Sequence, residues 1–275
     1  MHILAPAKIN LGLNILRQRP DGFHDIDSLM VKLNIFDELL IEKADELSLE
    51  VIGPHLPLDF PKDSRNLVYQ AAEIYLKALG YQAGAKMILK KVLPTAAGLG
   101  GGSSDAASTL KALKQIYPSD QDLFALAQQL GSDVSFFVSE MRSARAQGRG
   151  EILDPVALPK LHIILVNPHV AVSAKEAYGA LKAYQEALNV EDLRASLVDE
   201  PRYQNGLEAG VIKLYPTIAE VLDVLRGEGL KGVRMSGSGS SCFALAADAL
   251  QAKHALNHIQ KLKPHWWAVY TQNLS

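Results

Sequence analysis

One cysteine, Cys242, is all that the 275 residues contain. No disulfide within the chain is therefore available, which fits a reducing compartment. Charge of one sign is not in excess either: 28 basic against 30 acidic side chains give a formal net charge of −2. A protein that coats nucleic acid or an anionic membrane carries a basic excess that this chain lacks. The longest stretch without Asp, Glu, Lys or Arg is residues 161–174. It falls short of the roughly 18 apolar residues that a membrane span needs. The first residues, MHILAPAKIN, show no basic region leading into an apolar core, so no secretory signal is expected. A cytoplasmic protein with no membrane and no nucleic-acid partner is the expectation. Also missing is any Gly-Lys pair, which excludes a Walker A loop.

The composition that remains is 48% hydrophobic and 21% charged, ordinary for a globular protein. The length corresponds to one large or two modest domains, and the Asp154-Pro155 to Pro159 stretch suggests a boundary. The expected domains are residues 1–155 and 156–275. Ile9, Leu11, Leu13 and Ile15 alternate with Asn10, Gly12 and Asn14, the period of a half-buried strand. Lys8 shares the polar register with Asn10. Pro20-Asp21-Gly22 is a turn in which proline presets φ, aspartate caps and glycine takes the left-handed position.

Further strands are expected near 29–36, 38–42, 47–52 and 85–92. Helices are expected over 65–79, up to 116 after a glycine-rich loop, and over 121–130 with Gly131 as a left-handed cap. A short strand is expected at 135–138. In the second half, strands near 161–166, 232–235, 242–246 and 266–271 mix with helices near 173–187, 216–226 and 249–262. The mixture lacks regular strand–helix alternation, so the class is α+β.

The strongest local signal is Pro94-Thr95-Ala96-Ala97-Gly98-Leu99-Gly100-Gly101-Gly102-Ser103-Ser104. Glycines without Cβ let backbone N–H groups surround an anion, and the helix that follows favours phosphate at its start. The competing reading is an ordinary cap by Ser103 or Ser104, with Asp105 in the first turn; a cap needs no such glycine density. Gly98-x-Gly100-x-x-Ser103 approximates a dinucleotide fingerprint, but no strand ending in an acidic residue follows. A nucleoside triphosphate fits better than NAD.

Three words in order, residues 6–11 (PAKINL), the loop at 94–107 and residues 235–241 (MSGSGSS), resemble the three motifs of the GHMP kinases. Added words at 21–24 (DGFH), 65–67 (RNL), 131–137 (GSDVSFF), 148–151 (GRGE) and 205–208 (NGLE) resemble the branch that acts on a cytidine diphosphate-linked alcohol. The resemblance spans nearly the whole chain. Two departures stand out: the family usually has Pro where Ser135 stands and Asp where Gly206 stands.

The resemblance implies a two-domain GHMP kinase fold, with an N-terminal unit like the second domain of ribosomal protein S5 and a ferredoxin-like C-terminal unit. It implies ATP as phosphoryl donor, held by residues 94–104 with Asn66 near adenine, and Mg²⁺. Ser103 or Ser104 is a candidate ligand of the ion. By the same likeness Asp133 is the catalytic base and Lys8 its partner. On the residues alone, Asp133 reads rather as a turn or cap aspartate and Lys8 as a solvated strand lysine. Phe23 and Tyr178 are expected to sandwich cytosine, His24 to read its edge, and Asn10 to hold the substrate near Lys8; the plain alternative makes them core or surface residues. A mevalonate- or homoserine-type kinase and a noncatalytic nucleotide- or RNA-binding module are the rival readings. His254 and His258 are four apart, but no Glu follows His254 and no third ligand is evident, so they read as a solvated helix face.

Overall fold

Strand β1 (His2–Gln18) runs far beyond its alternating centre and leads, through the Pro20–Gly22 turn, into β2 (His24–Ala44). The turn forms as its residue types demand: Gly22 has φ +84° and the Asp21 carboxylate accepts the Phe23 N–H at 3.1 Å. The chain continues as β3 (Ser48–Ile52), α1 (Leu67–Ala78), β4 (Gly84–Lys90), α2 (Gly101–Ile116), α3 (Leu123–Leu130), α4 (Ser132–Val138), β5 (Ser143–Gly148) and β6 (Ile152–Pro155). There follow β7 (His162–Asn167), α5 (Ala174–Gly179), α6 (Val190–Ser196), α7 (Glu208–Leu214), α8 (Pro216–Gly227), β8 (Lys231–Met235), β9 (Cys242–Ala246), α9 (Ala249–Leu262) and β10 (Trp267–Gln272). This computed structural model describes residues 1–54, 56–57, 59–197 and 201–274. Among them, no helix is long and apolar enough to cross a membrane.

Two compact units are present. The first comprises Met1–Ala7, Ile35–Thr95 and Gly100–Met141; the second comprises Lys8–Asn34, Ala96–Leu99 and Arg142–Ser275. Neither is one continuous stretch of sequence.

In the first unit, the later part of β2 pairs antiparallel with β4, from Glu38 opposite Lys90 to Ala44 opposite Gly84, and β3 lies parallel to β4. Apolar faces of α1, α2 and α3 close on this sheet through Val68, Ala72, Tyr75, Leu110, Leu113 and Leu126. Tyr75 is fully buried, and its hydroxyl donates to the Tyr117 carbonyl at 2.7 Å. Burying such a ring contributes roughly 2–3 kcal/mol, provided the hydroxyl has a partner.

In the second unit, the early part of β2 pairs with β5, and β5 with β6. A separate sheet has the order β10-β7-β9-β8, every neighbour antiparallel. Numbered along the chain these strands are 1 to 4, and their order is 4-1-3-2, the split β-α-β of a ferredoxin-like layer. Helices α8 and α9 supply its cover through Ile218, Leu222, Leu225, Ala252 and Ile259. Pro216 starts α8, where a missing N–H costs nothing.

Several expectations are corrected. Residues 29–42 form one strand, not two. Residues 135–138 belong to helix α4, not to a strand; seven residues with a mainly apolar end carry too little periodicity to separate the two. Gly131 closes α3 in an extended conformation, φ 157° and ψ 158°, and at once opens α4. The helix after Ser173 ends at Gly179 rather than near 187. The alternation in β1 does not mark an exposed polar face: Lys8, Asn10 and Asn14 are as buried as the apolar residues between them.

Candidate active site

Helix α2 begins without a side-chain cap, as α4, α7 and α8 also do. Asn66 caps α1, Asp122 caps α3, Ser173 caps α5 and Asp248 caps α9, each accepting a backbone N–H. The residue before α2 is Gly100, at φ 68° and ψ 15°, with no side chain to cap it. Ser104 makes the first helical bond, its N–H donating to the Gly100 carbonyl at 2.9 Å. The amides of Gly101, Gly102 and Ser103 precede that bond, so they have no partner within the helix. Ser103 and Ser104 lie inside the first turn and cap nothing, which removes the ordinary-cap reading. Upstream, Ala96 and Gly98 also have positive φ, 48° and 74°. Positive φ at every second residue is the pattern that turns successive amides inward as an anion nest.

Two of the glycines have different reasons. A Cβ on Gly98 would stand 2.1 Å from the Ser236 carbonyl oxygen, so packing alone demands glycine there. A Cβ on Gly102 would meet only Leu67 Cδ1, at an ordinary 3.6 Å. Neither sterics nor backbone explains glycine at 102.

In the second unit the glycine loop at 236–241 braces the first loop. Ser236 Oγ donates to the Gly98 carbonyl at 3.0 Å, and the Ser241 N–H donates to the Ala97 carbonyl at 3.1 Å. Strand β1 joins them, with the Lys8 N–H on the Leu99 carbonyl at 2.9 Å. Lys8 Nζ donates to Asn10 Oδ1 at 2.7 Å, Asn10 Nδ2 to Ser28 Oγ at 2.7 Å, and Ser28 Oγ to the Gly12 carbonyl at 2.8 Å. This relay fixes the Asn10 amide and aims the lysine. Lys8 is only 4% exposed, so it is no solvated strand lysine.

Aromatic residues gather elsewhere in the second unit. His24 stacks on Tyr178, centroids 4.9 Å apart. Phe23 is half exposed, with the Arg149 guanidinium 3.8 Å from its ring centre. Both expected walls thus already have a planar partner. Tyr178 rides on α5, whose Ser173–Glu176 capping box fixes the start of the helix.

In the first unit Asp133 occupies the first turn of α4, half-buried, where the helix dipole favours a carboxylate. Asn66 accepts the Val68 N–H and donates to the Pro61 carbonyl, both at 2.9 Å. One amide hydrogen and one lone pair remain to it for a base edge. Behind the start of α2 lies a buried ion cluster. Lys91 Nζ donates to Asp37 and, at 2.7 Å, to Asp105, and all three side chains are at most 5% exposed. Burial lifts the Asp105 carboxyl to about 7 against the pull of Lys91. Burial would lower the Lys91 ammonium, but the two carboxylates outweigh it and raise it.

The family model described as "GHMP kinases N terminal domain" matches residues 66–140, and "GHMP kinases C terminal" matches 174–265. A protein of Deinococcus radiodurans named 4-diphosphocytidyl-2-C-methyl-D-erythritol kinase is 47% identical, over 98% of this chain and 92% of its own length. One of that name from Thermus thermophilus is 40% identical, over 97% and 95%. A crystal structure of 4-(cytidine 5'-diphospho)-2C-methyl-D-erythritol kinase superposes with a TM-score of 0.87 at 39% identity, covering both chains fully.

The chain belongs to the GHMP kinases.

The expected two-domain GHMP kinase fold is therefore confirmed. In this GHMP kinase the Lys8 relay lies outside both matched stretches. Ser28, Arg149 and the Lys91 cluster are not among the residues expected from sequence. Arg149 had a signal, since it sits in the GRGE word beside the turn glycines, but nothing in that word says the guanidinium reaches Phe23. Of the two departures, Ser135 is fully buried with a hydroxyl that has no partner among the described residues. Gly206 leaves room that Gln185 fills: a Cβ at 206 would be 2.0 Å from Gln185 Oε1, which accepts the Ile15 N–H at 2.8 Å.

Proposed function

We propose that this GHMP kinase transfers the γ-phosphoryl group of ATP to the 2-hydroxyl of 4-diphosphocytidyl-2-C-methyl-D-erythritol, giving the 2-phosphate and ADP. The step belongs to non-mevalonate isoprenoid precursor synthesis. The observation that carries the reading is the 47% identity, over nearly the whole chain, to a kinase of that name. The uncapped start of α2 supplies the physical counterpart, a set of amides with no partner within the helix, suited to phosphate.

In the proposed reaction the alcohol oxygen bonds to the γ-phosphorus as the bridge to the β-phosphate breaks. The hydroxyl proton passes to the Asp133 carboxylate. Lys8, held by Asn10, orients the acceptor oxygen and offsets developing negative charge. Residues 94–104 hold the triphosphate, Asn66 borders the adenine, and Phe23, His24 and Tyr178 recognise cytosine. Stacking of this kind is worth roughly 1–3 kcal/mol per base. Asn10 acts through Lys8 and borders the substrate. Mg²⁺, when bound, neutralises phosphate charge. No group of three or more His, Cys, Asp or Glu that could hold a metal ion occurs among the described residues, and a nucleotide-borne Mg²⁺ needs only one or two protein oxygens. The Ser104 hydroxyl, buried and with no partner among the described residues, and the half-buried Ser103 are the candidates that fit.

Incubation with ATP-Mg²⁺ and, separately, the cytidyl alcohol, mevalonate and homoserine tests the reading. ADP release confined to the cytidyl alcohol is expected. Release with mevalonate or homoserine instead makes it another small-molecule kinase, and no release with any of them overturns the assignment. Lys8→Ala, Asp133→Asn and the double variant test the pair. Each single change is expected to lower kcat by at least about 100-fold, and the double change by little more than either, as for groups acting as a unit.

A further inference from the structure

Asn205 lies just before α7 and is 7% exposed, and the mechanism above does not use it. Its amide donates two hydrogen bonds to the second glycine loop and its start, to the Met235 carbonyl at 2.8 Å and the Gly237 carbonyl at 2.7 Å. Its Oδ1 accepts the Leu207 N–H at 2.9 Å, which fixes the orientation of the amide. Glu208, one helical turn on, accepts the Met235 N–H at 2.8 Å. The backbone at Asn205 is tied to β1: Leu13 N–H donates to the Gln204 carbonyl at 2.9 Å, and Gly206 N–H to the Leu13 carbonyl at 2.8 Å. One residue thus fixes the glycine loop to the strand that carries Lys8. The loop lies beside that lysine and bonds its neighbour, the Asn10 N–H donating to Ser236 Oγ at 3.3 Å. A Cβ on Gly237 would stand 3.1 Å from Asn10 Oδ1 and 3.4 Å from Lys8 Nζ.

We propose that Asn205 is a positioning residue for phosphoryl transfer, gripping two carbonyls so that Gly237 holds the Lys8–Asn10 pair in its working geometry. This rests on the role assigned to Lys8. A loop freed by about 1 Å is enough to misplace the ammonium, and errors of that size cost about 100-fold in rate.

Asn205→Asp tests the proposal, because a carboxylate keeps the acceptor and loses both donors. At neutral pH its kcat should fall about 30- to 100-fold, with the KM for ATP within about threefold of wild type. Acidification should return part of the loss, because a protonated carboxyl regains one donor. Asn273→Asp is the control. Asn273 is equally buried, donates to the Pro159 carbonyl and accepts the Leu161 N–H, so it should lose stability and keep kcat. If both variants lose kcat alike, or Asn205→Asp stays within about twofold of wild type while Lys8→Ala is inactive, Asn205 does not position Lys8. Full turnover by Lys8→Ala would instead remove the role of Lys8, and this proposal with it. Should Asn205→Asp not fold, Gly237→Ala presses on the same contact; an unchanged kcat there overturns the proposal.

Discussion

Gly102 separates folding from function within one residue. It stands exposed in the first turn of α2, and an added Cβ would find only ordinary contact. Gly102→Ala should therefore stabilise the protein, by about 0.5–1 kcal/mol, because alanine has less chain entropy to lose. It should also raise the KM for ATP if, as proposed, phosphate approaches the backbone at this turn. A thermal melt and a nucleotide titration on the same sample check both signs. Ser135 makes the opposite case: its fully buried hydroxyl has no partner among the described residues, a state that costs roughly 1–3 kcal/mol. Ser135→Ala should raise the melting temperature with kcat unchanged. Single residues were only partly legible beforehand. Alternation placed Lys8 and Asn10 on one face, but it cannot tell a solvated face from one covered by a distant loop.

Elements with strong local signals matched their expectations closely. Helices α1, α2, α8 and α9 carry long apolar stripes with clear ends, and their bounds lie within about two residues of those read from sequence. Short elements were not legible. The end of α4, residues 135–138, carries a strand-like signal, and α6 and α7, of seven residues each, carry too little periodicity to announce a helix. The length of α5 was overestimated because Ala, Leu, Lys and Glu at 180–187 favour helix, while the Gln185 N–H is instead held by the Ile15 carbonyl at 2.8 Å. Helix α5 also supports a prediction. Ser173→Ala removes one half of its capping box, a loss of about 1 kcal/mol. Through Tyr178 it should raise the KM for the cytidyl alcohol and leave that for ATP alone, as steady-state kinetics with each substrate varied will show.

For the molecule as a whole, buried carboxylates set how stability depends on pH. Asp105 keeps its proton to about pH 7 in the fold, against 3.8 in the unfolded chain. Between those values the native state binds more protons, so stability falls as pH rises and levels off above about 7. Glu208 acts in the same direction, because burial lifts its carboxyl despite the bond from Met235. Denaturant midpoints measured from about pH 4 to about pH 8 should decline with pH in the wild type and decline less in Asp105→Asn. None of this was visible in the sequence, where Asp105 looked like a first-turn aspartate. The family was visible, because its words recur in order along the chain.

The room beside residue 206 has a history to tell. Gln185 occupies it with a carboxamide that serves the β1 backbone, so the two positions form one volume shared between distant parts of the chain. An aspartate at 206 and a glutamine at 185 exclude each other as placed here. Gly206→Asp alone should be poorly tolerated, and Gln185→Ala should rescue it. Lineages that carry the acidic side chain should then be those that never gained the amide.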